Sequence, residues 1–286
     1  DINGGSGTFT FTDTDINTMG VSFDINGGTS SVNFLTGSTI MQASASAALS
    51  VMDHDMGTLD FDGDITATLG TGLVFNNSDG IYSVDGMTIF TGGGGIDIVN
   101  GSSGIFIFGT TSITGATGNA IDIAGHTTGT ITFGNTTIDM AAVNGIDISN
   151  STGSYSFAGT ANVISNLASG ADGIQVTEAA GSLVFQNFTI GPVSAGQFGI
   201  TITTNGGNAV GVVLSSNRVD LNATNSTGYA VSADGNGNNV VFTGSGGAAN
   251  DNVTSNAGSG TSSLFQELNG GLISGTIRIN GTDLTP

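Results

Sequence analysis

The residues of this chain that could do chemistry are nearly all carboxylates. Twenty-two acidic residues stand against two arginines, Arg218 and Arg278, with no lysine, no cysteine and two histidines, for a net charge of −20. Two acidic groups have a spacing that suggests metal binding. Asp97, Asp122 and Asp147 each sit inside an Ile-Asp-Ile triplet, and the triplets recur 25 residues apart. If the triplets stack, their carboxylates line up about 5 Å apart and repel by roughly 1 kcal/mol per pair at the solvent limit. A hard cation such as Ca²⁺ bridging them turns that cost into binding energy. The second group is Asp60-Phe61-Asp62-Gly63-Asp64, with oxygen ligands at spacing two around a glycine. The twelve-residue calcium loop with its terminal Glu is not there. The competing reading of both groups is a solvated acidic stripe that keeps molecules apart. Ca²⁺ is thus a candidate ligand, and no cofactor is required. His54 and His126 lie in separate turns with no third ligand near either, and they read as surface histidines.

Such carboxylates need a repeating scaffold, and the chain supplies one. Gly95-Ile-Asp-Ile is followed ten residues on by Phe108, and Ala120-Ile-Asp-Ile ten residues on by Phe133. Alternating apolar residues at period two read as strands, and self-similarity at this spacing reads as a solenoid. One column runs Phe11, Phe34, Phe61, Val84, Phe108, Phe133, Phe157, Phe185, Leu214 and Phe242, at spacings of 23 to 29. A second lies two residues earlier, from Phe9 to Val240. A third, just after, holds Ile16, Ile40, Ile65, Ile89, Ile113, Ile138, Val163, Ile190 and Val219. A fourth, about ten residues before the Phe, runs from Ile2 to Ala233. Stacked coils turn these columns into ladders filling one interior. The expected fold is all-β: a right-handed parallel β-helix of roughly eleven coils, with three short strands per coil. Unequal coils argue against the left-handed hexapeptide form, and parallel crossovers favour the right hand. The 49 glycines supply the turns, many of which need φ > 0.

Residues 1–243 read as regular coils, and 244–286 as a loop plus an irregular terminal coil. Gly244 to Gly260 reads as a loop, and Thr261 to Gly271 as a short helix or strand covering the end. Asp1-Ile2 aligns with Asp97-Ile98, so the chain enters in mid-coil without a cap.

The acidic balance argues against nucleic acid and anionic membrane as partners, since both need clustered cations. No apolar stretch of about 20 residues is present, so no helical membrane insertion is expected. Along the Phe strands the outward residue turns apolar late in the chain, at Val184, Val213 and Val241. With Ile107 further up, these predict an exposed interface strip. Parallel β-helix polysaccharide lyases resemble one another in using Arg or Lys as base beside Ca²⁺, and here only Arg218 and Arg278 are available. The related hydrolases resemble one another in Asp-Asp, Gly-His-Gly and Arg-Ile-Lys motifs. Gly125-His126-Thr127 and Arg278-Ile279-Asn280 match these in part only, six coils apart. A polysaccharide-degrading enzyme is therefore the lowest-ranked reading.

The pattern Gly-x-Ile-Asp-Ile, Gly-x-Ile-x-Phe, x-x-Ile resembles the β-strand-repeat passenger regions of large secreted bacterial surface proteins, the autotransporter-like adhesins. The resemblance covers roughly residues 1–242, without a membrane-barrel segment. It implies a secreted, cell-surface or matrix protein acting by adhesion or scaffolding. The expected partners are other copies of itself or flanking segments of a longer chain, with surface glycans as the alternative.

Overall fold

The computed structural model describes residues 1–193, 197–204, 211–215, 218–221, 229–243, 253–255, 265–275, 277–279 and 282–284. Among them there are strands and turns but no helix. Every third strand in sequence belongs to the same sheet, giving three sheets of 11, 11 and 12 strands, parallel but for the last pair of the third. Sheet A starts with Ile2–Asn3, sheet B with Thr8–Phe11 and sheet C with Asp15–Thr18. One strand of each makes a coil, so the chain is a parallel β-helix, as its periodicity predicts.

The apolar columns are the interior. The Phe column is in register from Phe11 through Phe34, Phe61 and onward to Phe242, and Phe34, Phe61, Phe133 and Phe157 are buried. Phe108, Phe133 and Phe157 stack face to face at 4.6 and 4.7 Å between ring centroids, which is the spacing that parallel strands impose. Each such ring contributes roughly 2–3 kcal/mol by leaving water.

The third column is in part a misreading. In sheet C, Ile65 pairs with Thr88, and Phe90 pairs with Ile113. Two inward columns run side by side there. The first contains Ile40, Ile65, Thr88, Thr111 and Thr136, and the second contains Phe90, Ile113, Ile138 and Ile164. Ile89 and Val163 fall between them, and only half-buried. Buried threonines hid the first column, because hydropathy alone does not mark Thr as interior.

The coil turns out of sheet A at one recurring backbone shape. Gly4, Gly27, Asp53, Asn77, Asn100, Gly125, Asn150 and Glu178 all have φ between +49° and +75°. From most of them the amide donates to the next coil, as in Asp53 to the Asn76 carbonyl and Asn150 to that of Thr177. Other glycines answer a different need. A Cβ on Gly80 would lie 2.4 Å from the Gly57 oxygen, and one on Gly104 would lie 2.3 Å from that of Gly80. At that corner neighbouring coils run too close for any side chain.

The two ends differ. At the first coil the ladders run out apolar: Phe9 is 38% exposed, and Phe11 and Ile16 are half-buried against the core. At the last, Phe265–Leu268 continues sheet A as a rung rather than covering the end. Within it Glu267 occupies the core column below Ala233, and its carboxylate accepts the Ile273 amide at 2.6 Å. Gly275 stands below Phe242 in the Phe column. Thr282–Leu284 then pairs antiparallel with Ile277–Ile279 and closes sheet C. The loop read over Gly244 to Gly260 lies outside the described residues, apart from the strand Val253–Ser255. Thr261 to Leu264 lie outside them too.

Candidate cation and interaction surfaces

Stacking of the Ile-Asp-Ile strands brings Asp97, Asp122 and Asp147 into one column on the outer face of sheet A. Val74 precedes them and Gln175 follows, so the run is three carboxylates long. It is not open to water as a plain surface stripe would be. Asn119, Asn144 and Asp172 form a second ladder at the corner leading into sheet A. The Asn144 amide donates to Asn119 Oδ1 at 3.1 Å, that of Asp172 to Asn144 Oδ1 at 3.0 Å, and that of Phe198 to Asp172 Oδ1 at 2.8 Å. Asn119 also donates to Asp147 Oδ2 at 3.2 Å. The signal was present in sequence as an Asn or Asp two residues before each strand's first Ile. Side-chain carbonyls there take the place of strand partners.

Burial desolvates the acids, and hydrogen bonds from Asn119 and Asn144 oppose its effect at Asp122 and Asp147. Burial, with Asp122 beside it, pushes the Asp97 carboxyl up to about 6. Asp172 is likewise raised to about 6 by burial, against the opposing hydrogen bond from Phe198. Burial also raises Asp122 and Asp147. A carboxyl whose folded pKa lies above its unfolded value of about 3.9 opposes folding once ionised. The penalty is absent below about pH 4 and complete above the folded pKa near 6. Asp97→Asn is therefore expected to stabilise the protein at pH 7.5, by about 1 kcal/mol after allowing for residual solvent, and to give no gain at pH 4. Thermal melts of both proteins at the two pH values check this. An equal gain at both pH values would refute the electrostatic account.

The second acidic group assembles with a different membership. The carboxylate oxygens of Asp60, Asp62 and Asp85 lie within 4.8 Å of one another, all three exposed. Among the described residues this is the group of three His or acidic ligand atoms brought so close, and the Asp97 column is not one. Asp64 does not join it. That residue begins the sheet C strand Asp64–Ala67, and its carboxylate accepts the Met87 amide at 2.9 Å. Asp85 replaces it because Val84 stacks on Phe61, which sets Asp85 above Asp62 one coil on. Asp60 is raised by burial, then by Asp62 and Asp85. Ca²⁺ takes 6–8 oxygens, so three carboxylates on an open face leave part of any shell to water.

The histidines are not at the surface. His54 and His126 are fully buried, each following a left-handed corner residue, Asp53 or Gly125, that turns the next side chain inward. A tyrosine one coil on meets each ring: His54 Nδ1 lies 3.1 Å from Tyr82 Oη, and His126 Nδ1 lies 3.1 Å from Tyr155 Oη. The sequence held the signal as Tyr82 and Tyr155, 28 and 29 residues downstream, one coil and a few residues away.

Val184, Val213 and Val241 form one outward column of sheet B, three coils deep and half-buried. Ile107 is not continuous with them, since Thr132 and Ser156 intervene. It belongs to a separate exposed group with Ile81 and Ile105, at 48% and 38% exposure, on the same sheet. No family model matches this chain, and no curated protein or solved structure matches it either.

Proposed function

We propose that this chain is a non-catalytic, extracellular structural or adhesive β-helix, a subunit or segment of a surface fibre that adds to a neighbouring coil through its N-terminal end. The observation that carries the proposal is the difference between the ends. Strands Ile2–Asn3, Thr8–Phe11 and Asp15–Thr18 each pair on one side only, and the ladders behind them end in apolar side chains, with Phe9 exposed. Unpaired strand edges over an apolar end are a template for adding another rung. The described residues of the opposite end are of a different character. Glu267 would set a carboxylate against the core of any added coil, at a high desolvation cost. The antiparallel pair at Ile277–Ile279 also ends the parallel register of sheet C. The neighbour is then a flanking segment or a second chain. The outer faces, including the Val184 column, serve for lateral contact. Placement outside the cell rests on the resemblance of the repeats to secreted surface proteins.

Sedimentation and electron microscopy of the chain, with and without a Phe9→Asp, Ile16→Asp pair, test this reading. Concentration-dependent association of the wild type, lost in the double variant, is the expected result. Isolated rods at every concentration would reject addition of a second chain, and association unaffected by the two charges would reject the N-terminal rung as its site.

A further inference from the structure

Two buried histidines in a scaffold with hardly any basic residues call for a role. His54 and His126 occupy equivalent corners 72 residues apart, and Tyr82 and Tyr155 occupy equivalent positions 73 apart. The surroundings repeat as well. Nε2 of His54 lies 3.0 Å from the Ser30 carbonyl oxygen, and that of His126 lies 3.2 Å from the Gly104 oxygen. A carbonyl only accepts, so Nε2 carries the proton in both rings. In a neutral ring Nδ1 is then the acceptor, and the tyrosine hydroxyl donates to it. The tyrosine oxygen in turn accepts a backbone amide, Gly80 at 2.9 Å or Gly153 at 3.2 Å.

Adding a proton to either ring reverses one of these bonds. Nδ1–H must donate to the tyrosine oxygen, and the hydroxyl hydrogen needs a new acceptor. Within reach are a serine hydroxyl, Ser78 for Tyr82 and Ser151 for Tyr155, and the histidine's own carbonyl oxygen, 3.1 Å from Tyr82 but 3.5 Å from Tyr155. The serine is common to both corners, whereas the carbonyl contact is an ordinary hydrogen bond at Tyr82 and at the edge of being one at Tyr155. Neither ring has room to swing away. A Cβ at Gly57 would lie 2.2 Å from His54 Nε2, and a Cβ at Gly153 would lie 2.2 Å from His126 Nδ1. Phe106 also packs edge-on against His126 at 5.8 Å.

We infer that the His126–Tyr155 corner is an acid-triggered opening point in the solenoid, and that the His54–Tyr82 corner is its more acid-resistant counterpart. The charged groups facing the two corners agree with that order. Asp55 adjoins His54, and Asp79 faces Tyr82 from the same corner. His126 is faced by Asp79 alone, whose carboxylate is already engaged by the Ser103 amide and hydroxyl at 2.9 and 2.7 Å. Burial lowers both imidazoles below their ordinary value. The neutral rings therefore favour the fold above the unfolded pKa of about 6.5, and this contribution is lost as pH falls toward the folded value.

A global melt would not isolate the effect, because Asp97 and Asp172 gain stability over the same fall in pH. Local hydrogen exchange does isolate it. The whole chain is compared at about pH 7.5 and about pH 5, corrected for intrinsic exchange chemistry, as wild type, His126→Gln and His54→Gln. Peptides spanning 124–130 and 151–155 are expected to lose at least roughly tenfold in protection at the lower pH, the equivalent of one pKa unit. Those spanning 52–57 and 78–82 are expected to lose clearly less. His126→Gln is expected to abolish the acid response at its own corner, and His54→Gln to leave that response intact. Equal protection at both pH values, opening first at His54, or an undiminished response in His126→Gln would each overturn the inference. Should His126→Gln not fold, imidazole NMR of the wild type decides. Titration of His126 near pH 6.5, with no rise in exchange at its corner, overturns the inference, and titration in step with that exchange supports it.

Discussion

Phe133→Ala is expected to lower the unfolding free energy by about 3–5 kcal/mol. Phe133 is fully buried and stacked on both faces. Phe108 lies 4.6 Å away at 18° between ring planes, and Phe157 lies 4.7 Å away at 2°. Each face contributes beyond the area it buries, by roughly 0.5–1.5 kcal/mol. The cavity left by alanine has no easy means of collapse. The backbone ladder holds Phe108 and Phe157 two rungs apart, so neither ring can move in without breaking strand pairing. Phe11→Ala is the control. Its ring stacks on Phe34 at 4.4 Å, is only half-buried and sits in the first coil, so a loss of about 1–2 kcal/mol is expected. Urea unfolding followed by far-ultraviolet circular dichroism compares the two. Equal losses would mean that the stack does not act as a continuous core.

Gly95→Ala should be nearly as severe, on the order of 3 kcal/mol, through lost hydrogen bonding and overpacking. The reason is not glycine's freedom at positive φ, since Gly95 is not in that region. A Cβ there would lie less than 2 Å from the backbone oxygen of Ala120. That oxygen accepts the Ile96 amide at 3.0 Å, so the methyl group would force apart the bond that ties one coil to the next. Ala120, one coil on in the same column, carries its own buried methyl without conflict. The reverse change, Ala120→Gly, is expected to cost no more than about 1 kcal/mol. Comparable unfolding midpoints for the two variants would show that the coils relax around the added carbon.

Period-two alternation and coil-length repetition make the β-helix legible in the sequence. The Phe column and the columns beginning at Phe9 and Ile2 stand in the register in which they are read, because Ile and Phe at alternate positions have one place to go in a stacked coil. The same logic failed where polar residues face inward. Thr88, Thr111 and Thr136 are buried and displaced the reading onto Ile89 and Val163. The burial of His54 and His126 is hidden from the sequence for the same reason, since it depends on tyrosines one coil away and on glycines beside the rings.

The acidic groups divide along the same line. That Asp97, Asp122 and Asp147 share a column follows from their spacing alone, whereas the shift of the Asp97 carboxyl to about 6 depends on its burial and on Asp122 beside it. Asp60 and Asp62 were visible as neighbours in sequence, but their third partner is Asp85, brought there by stacking across 23 residues. The sequence by itself determined what repeats, because strand alternation is local and hydrophobic columns need only a constant coil. The tertiary structure alone decided what meets, because contacts between coils join residues about 25 apart through corners of unequal length, and hydrogen bonding to buried polar groups has no periodic signature.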